Sequence, residues 1–89
     1  MKLKEILSVV AEVTEIAEDL IVSKSKKEDV VLAKKLFVLT TKKLGYPTSA
    51  IAKILGVTEQ AVRYLNNTKD TRQIVRKKQK EIEKRITND

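Results

Sequence analysis

The sequence predicts an all-α fold, a small helical bundle of five to six helices that contains a helix-turn-helix. Three observations predict it. Apolar residues recur at helical spacing in several successive segments. Only two Gly and one Pro interrupt the 89 residues. Two short helical patterns meet at a glycine within Thr48–Asn67. At this length we expect one domain covering residues 1–89.

Composition narrows the classes of function. The chain contains no Cys and no His, so the common zinc sites and nucleophile–base pairs have no residues to form them. We therefore expect no enzyme, no cofactor and no metal. No apolar run approaches the ~20 residues that cross a bilayer, and acids stand where a signal peptide has its apolar core. We expect a cytoplasmic protein without membrane contact.

The net charge of +7 is distributed unevenly. Residues 1–23 carry two Lys and five acids, whereas residues 24–53 carry eight Lys and two acids. Residues 69–85 carry eight basic residues and three acids. Two basic blocks therefore flank a neutral segment, an arrangement that suits a polyanion held against one side of the domain. A basic surface that only keeps the protein soluble would not predict this clustering.

The first helix is predicted from Leu3 to about Val13. Thr14 is expected to cap a second, short helical turn. Three apolar residues of that turn are predicted to face inward: Ile16, Leu20 and Ile21. The acids nearby lie on a surface helix rather than in a cleft, so they do not indicate a carboxylate pair for catalysis.

A polar loop, Ser23–Lys27, carries three Lys and precedes the long central helix. That helix is expected to begin near Glu28, with Asp29 or Ser25 as its cap, and to end at Gly45. Its apolar residues cover much of its circumference: Val30, Ala33, Leu36, Phe37, Leu39 and Leu44. Lys34 and Lys35 interrupt this run and are predicted to point outward.

The helix-turn-helix is predicted at residues 48–67. Gly56 provides the turn, because a sharp reversal needs a residue tolerant of positive φ. Thr58 is a favourable N-cap for the second helix. The inner face of that helix consists of Ala61, Val62 and Leu65, and the outer face of Glu59, Gln60, Arg63, Tyr64 and Asn67. In a helix-turn-helix the second helix lies in the DNA major groove.

The terminal helix is predicted from about residue 70 to residue 87, with Thr68 or Asp70 as its cap. Its apolar stripe is thin: Ile74, Val75, Ile82 and Ile86. Three alternatives stay open for this basic helix. It docks weakly on its own domain, reaches DNA phosphates, or pairs with a second copy of the chain or another protein.

With the stretch SKSKKEDVVLAKKL at its centre, the chain resembles the C-terminal DNA-binding domain of the bacterial replication initiator DnaA, in the Trp-repressor-like superfamily. Ser23–Leu36 carries the specific part of the resemblance, and the order and length of the helices extend it over nearly the whole chain. The resemblance implies a minor-groove contact from the basic loop at or near Lys26, with Lys24 and Lys27 beside it. It implies a phosphate contact from Lys34.

The stretch Gly56–Val62 departs from that family, because the arginine, aspartate and histidine that read bases there have no counterparts. The resemblance therefore does not imply the family's DNA target. No P-loop motif is present, so no ATPase function is implied. Side-chain chemistry points to Gln60 and Arg63 as base readers, with Thr58, Glu59 and Tyr64 behind them. Tyr64 either contacts phosphate or packs in the core.

The sequence therefore predicts a double-stranded DNA-binding protein, in replication or transcription regulation. The alternative is a protein-interaction module that retains the fold without specific DNA binding, with the terminal helix or the acidic first helix as its interface. RNA binding is less favoured, because single-strand readers display aromatic platforms and this chain has three aromatic residues. A homodimer remains open, because two-fold DNA readers need one.

Overall fold

A computed structural model describes residues 2–68 and 72–87, which form six α-helices and no strand. The helices are α1 Leu3–Thr14, α2 Glu18–Ile21, α3 Glu28–Lys43, α4 Thr48–Leu55, α5 Glu59–Asn67 and α6 Gln73–Thr87. The all-α prediction is confirmed, and the described helices number six, at the upper end of the predicted range. The predicted ends of α1, α4 and α5 agree with the observed ones to within one or two residues.

Helix α3 lies at the centre of the bundle and packs against each of the other five helices. Leu36, Phe37 and Val38 are consecutive and all fully buried. Because consecutive residues of a helix point about 100° apart, protein surrounds most of the circumference of α3 here. Ile6 and Val10 of α1 are buried against this centre. Because apolar burial supplies most of the driving force for folding, α3 is the element on which the other helices depend.

Lys34 and Lys35 do not point outward as predicted, since only 8% and 7% of these residues are exposed. The prediction was wrong because α3 is surrounded, so its polar positions have little solvent beside them. A lysine can bury its aliphatic stem and place only its ammonium group at a polar partner. Lys34 does so, since its Nζ donates a hydrogen bond to the carbonyl oxygen of Ser23.

Two leucines are exposed, and one of them, Leu20, was predicted to face inward. Leu20 of α2 is 51% exposed, and Leu44, directly after α3, is 50% exposed. Ile21 is fully buried, as predicted. A helix of only four residues presents one narrow face to the core, so Ile21 occupies that face and its neighbour Leu20 does not.

Several predicted caps are wrong. Thr14 lies within α1, where its hydroxyl donates to the Val10 carbonyl at 2.7 Å. The N-cap of α3 is Lys27 without a side-chain cap bond, so neither Ser25 nor Asp29 fills that role. Thr68 is instead the C-cap of α5. Asp70 lies outside the described residues.

Helix α6 runs alongside α3 in the same direction. An ion pair at 2.9 Å joins Arg72, just before α6, to Glu28 at the start of α3. A second pair at 2.7 Å joins Glu83 to Lys43 at the other end. The two pairs show that each end of α6 lies beside the corresponding end of α3.

The apolar stripe of α6 is packed on α1 and α3. Val75 is 2% exposed and Ile82 is fully buried, whereas Ile74 is 51% exposed. The terminal helix therefore docks on its own domain, and contact of its exposed face with DNA phosphates stays a prediction. Because Val75 and Ile82 are occupied within the bundle, they are not available to pair with a second copy.

Candidate nucleic-acid interface

The start of α5 is fixed by local chemistry on both sides of a tight turn. Gly56 adopts φ 68°, and the Val57 N–H donates to the Ala52 carbonyl at 3.1 Å, closing the end of α4. The Thr58 hydroxyl then accepts a hydrogen bond from the Ala61 N–H at 3.1 Å. The predictions for Gly56 as the turn and Thr58 as the cap are confirmed. Together they set the direction in which α5 leaves α4.

The two faces of α5 divide as the sequence predicts. Val62 is fully buried, while Ala61 and Leu65 are partly buried. The outer face is exposed and polar: Glu59, Gln60, Arg63, Tyr64 and Asn67. Tyr64 is 70% exposed, so of its two predicted roles the core one is wrong.

The loop before α3 exposes the ammonium-bearing residues Lys24, Lys26 and Lys27. Its backbone is ordered by two serines. The Ser25 N–H donates to the Ser23 hydroxyl at 3.2 Å, and the Lys27 N–H donates to the Ser25 hydroxyl at 3.3 Å. These short-range bonds satisfy backbone groups that a loop otherwise leaves to water.

Lys34 of α3 forms a hydrogen bond with the first residue of this loop. Its Nζ lies 2.5 Å from the carbonyl oxygen of Ser23, the first residue of the loop. The aliphatic stem of Lys34 is buried, and its ammonium group contacts the loop instead of solvent. The predicted phosphate contact of Lys34 stays a prediction, and the observed geometry gives this residue a positioning role.

A groove brings the loop and α5 together. Its volume is about 390 Å³. Lys26 of the loop and Tyr64 of α5 both line it, together with Glu28, Val31 and Lys35 of α3 and with Arg72. Two sites predicted separately from distant parts of the sequence are therefore neighbours on one surface.

Sequence reasoning did not place Val31, Lys35 or Arg72 in this groove. Val31 is 38% exposed although it belongs to the central helix. Lys35 and Arg72 reach the groove only because α3 is central and α6 begins beside it. No local pattern signals these positions, since each depends on a tertiary contact.

Glu59 and Arg63 interact on the outer face of α5. Their carboxylate and guanidinium groups are 3.6 Å apart, and both side chains are more than half exposed. An exposed pair of this kind contributes less than about 1 kcal/mol. Arg63 therefore leaves Glu59 at little cost when a stronger acceptor approaches.

No known family and no curated protein matches this sequence. Residues 2–68 and 72–87 contain no helix with the length and apolar character to cross a membrane. In the same part of the chain, no three acidic side chains are grouped to hold a metal ion.

Proposed function

We propose that this protein binds double-stranded DNA through one continuous surface, made of the loop 23–27 and the outer face of α5. The observation that carries the proposal is the shared groove, in which Lys26 and Tyr64 are neighbours. A helix with an exposed polar face beside an exposed cationic loop can read base edges and grip the backbone at once. We infer that α4 and α5 act as a helix-turn-helix.

The loop supplies the phosphate contacts. Within the described residues, Lys24, Lys26 and Lys27 form no ion pair, so their charges are not neutralised by the protein. Lys53 on α4 is exposed as well. If about four such cations contact phosphate, log K should fall against log salt with a slope of about −3.6.

Helix α5 supplies the base contacts. The side-chain amide of Gln60 can donate one hydrogen bond to adenine and accept another from it. The guanidinium group of Arg63 can donate two hydrogen bonds to guanine. Glu59 accepts from cytosine, or repels phosphate where no cytosine is present. Thr58 and Tyr64 lie at the edges of this set, and the exposed Tyr64 hydroxyl suits a phosphate oxygen.

The resemblance to the replication initiator's C-terminal domain supports the same placement of loop and helix on DNA. It favours a replication or transcription regulator that acts by binding rather than by catalysis. The family's base-reading residues are absent from Gly56–Val62, so the target sequence should differ from that family's.

The test is fluorescence anisotropy with a random 30-base-pair duplex over a salt series. Wild type should bind with the slope given above, and Lys26→Ala should reduce the slope by about 1. Arg63→Ala should relax sequence preference in a selection from random duplexes. Lys4→Ala is the matched control, because Lys4 is exposed on α1 away from the groove. Absence of binding at low salt would overturn the proposal and favour the protein-interaction alternative.

A further inference from the structure

The cations at the C-terminal end of the chain divide into two sets. Those at the edges of α6 bind the bundle. Arg85 contacts Glu12 of α1 at 3.0 Å and Glu81 at 3.2 Å. Lys78 donates to the carbonyl oxygen of Val13 at 3.1 Å. With Arg72 on Glu28, these contacts account for three of the basic side chains.

The second set has no partner within the described residues. Four exposed cations form it, here named the α6 cation row: Arg76, Lys77, Lys80 and Lys84. At 100° per residue they fall within an arc of about 100°, directly opposite the buried Val75 and Ile82. The row therefore points straight away from the bundle.

Stability does not account for this row. Arg76, Lys80 and Lys84 follow one another at intervals of four residues, and like charges at that spacing destabilise a helix by about 0.2–0.5 kcal/mol per pair. A surface arranged for solubility alone would intersperse both signs. Glu81 and Glu83 stand beside the row, but each pairs with a cation outside it, Arg85 and Lys43 respectively. An external anion would therefore relieve the repulsion within the row.

Duplex DNA fits the row better than a membrane does. The row extends over about 12 Å of helix, a length along which duplex DNA carries about seven phosphate charges. A helix that lies in a membrane surface must insert an apolar face. The apolar face of α6 is already buried in the core, which leaves the row only its charge.

Beyond Arg72, which lines the groove, α6 runs along α3 toward Lys43 and so away from the surface proposed above. Helix α6 packs on α1 and α3, whereas α5 packs on α3 and α4. The exposed carboxylates of Glu28 and Asp29 line a second pocket at the start of α6, together with Arg72 and Ile74. A duplex running from the loop onto α6 would have to pass these negative charges.

We propose that the α6 cation row is a second DNA-binding surface, without sequence preference, that holds a different duplex from the one on α5. One molecule then bridges two duplexes. The proposal goes beyond the function proposed above and depends on α5 only for the first duplex.

The test replaces all four residues of the row with Gln, which favours helix about as well as Arg and Lys. A bead-bound random duplex and a fluorescent random duplex are mixed with protein, and capture of fluorescence on the beads is measured. Wild type should capture the second duplex. In the Gln variant the captured fluorescence should fall at least tenfold. Its binding to a single duplex should keep the base preference that Arg63 confers.

Two controls separate the possible outcomes. The first control starts from the Lys26→Ala/Arg63→Ala variant, in which the α5 surface is weakened. Changing the row to Gln in this variant should still make the slope of log K against log salt shallower by about three or four units. This control tests the row even if α5 does not bind DNA. Unchanged capture and unchanged slope would overturn the proposal. So would a Gln variant that loses only its binding to anionic phospholipid vesicles, since the row would then serve a membrane.

Discussion

The Nζ of Lys34 donates a hydrogen bond to the carbonyl oxygen of Ser23, with 2.5 Å between the two atoms. This bond joins the most buried helix to the first residue of the cationic loop. It means that a lysine in the core helps to fix the conformation in which the exposed lysines face solvent.

Lys34→Met should therefore act on the loop rather than on a phosphate. Methionine retains most of the stem but leaves the Ser23 carbonyl without its donor, so the free energy of unfolding should fall by about 1–2 kcal/mol. DNA affinity should fall while the salt slope changes little. Lys26→Met is the matched control, and it should lower the slope by about 1 without a loss of stability. A full unit of slope lost by Lys34→Met at unchanged stability would show a direct phosphate contact instead.

Glu59→Gln should tighten binding to a random duplex by about two- to fivefold, because it removes a charge that repels phosphate and competes for Arg63. Chemical denaturation should show a small loss of stability, since an acid in the first turn favours the helix dipole. Glu5→Gln makes the same charge change in the first turn of α1. If both variants tighten binding equally, the effect is one of net charge and not of the α5 surface.

Glu15 follows α1 with φ 59°, in the left-handed region that side chains with a Cβ seldom adopt. The Ile16 N–H donates to the Ala11 carbonyl at 3.2 Å and closes this helix end. Glu15→Gly should therefore raise the free energy of unfolding by about 0.5–1 kcal/mol. Glu15→Ala removes the same charge without relieving the backbone, so an equal gain from alanine would refute the conformational explanation.

The Thr40 hydroxyl is buried, and among the described residues it has no hydrogen-bond partner. Thr40→Val should stabilise the fold by about 1 kcal/mol, because it replaces an unsatisfied polar atom with a methyl group of similar size. The neighbouring Thr41 hydroxyl donates to the Phe37 carbonyl at 2.8 Å. Thr41→Val should therefore give no gain in stability. In thermal unfolding, the melting temperature should rise for Thr40→Val and should stay the same or fall for Thr41→Val.

The α4–α5 junction could be predicted from sequence because its chemistry is local. Gly56 and Thr58 act on backbone groups within a few residues, so their types alone indicate the turn and the cap. The same locality explains why the two faces of α5 were assigned correctly. Here a short stretch of sequence contains all the partners that decide the structure.

The environment of α3 could not be predicted in the same way. Lys34 and Lys35 are polar, and a local pattern places them in solvent, but five other helices cover α3. The shared groove depends on contacts between residues far apart in the chain, so Lys26 and Tyr64 could be proposed as separate sites without evidence that they adjoin. The error at Leu20 has a related cause, since a short helix presents few inward positions.

The most direct test of the DNA surface is a titration of uniformly ¹⁵N-labelled protein with a random 30-base-pair duplex, followed by amide chemical shifts. At moderate salt, the largest changes should fall on residues 23–27 and 58–67, with α1 and α2 nearly unaffected. The loop and α5 should change together along one titration curve, because they share one surface. Changes concentrated on α1 and α2, or no changes at low salt, would contradict the account.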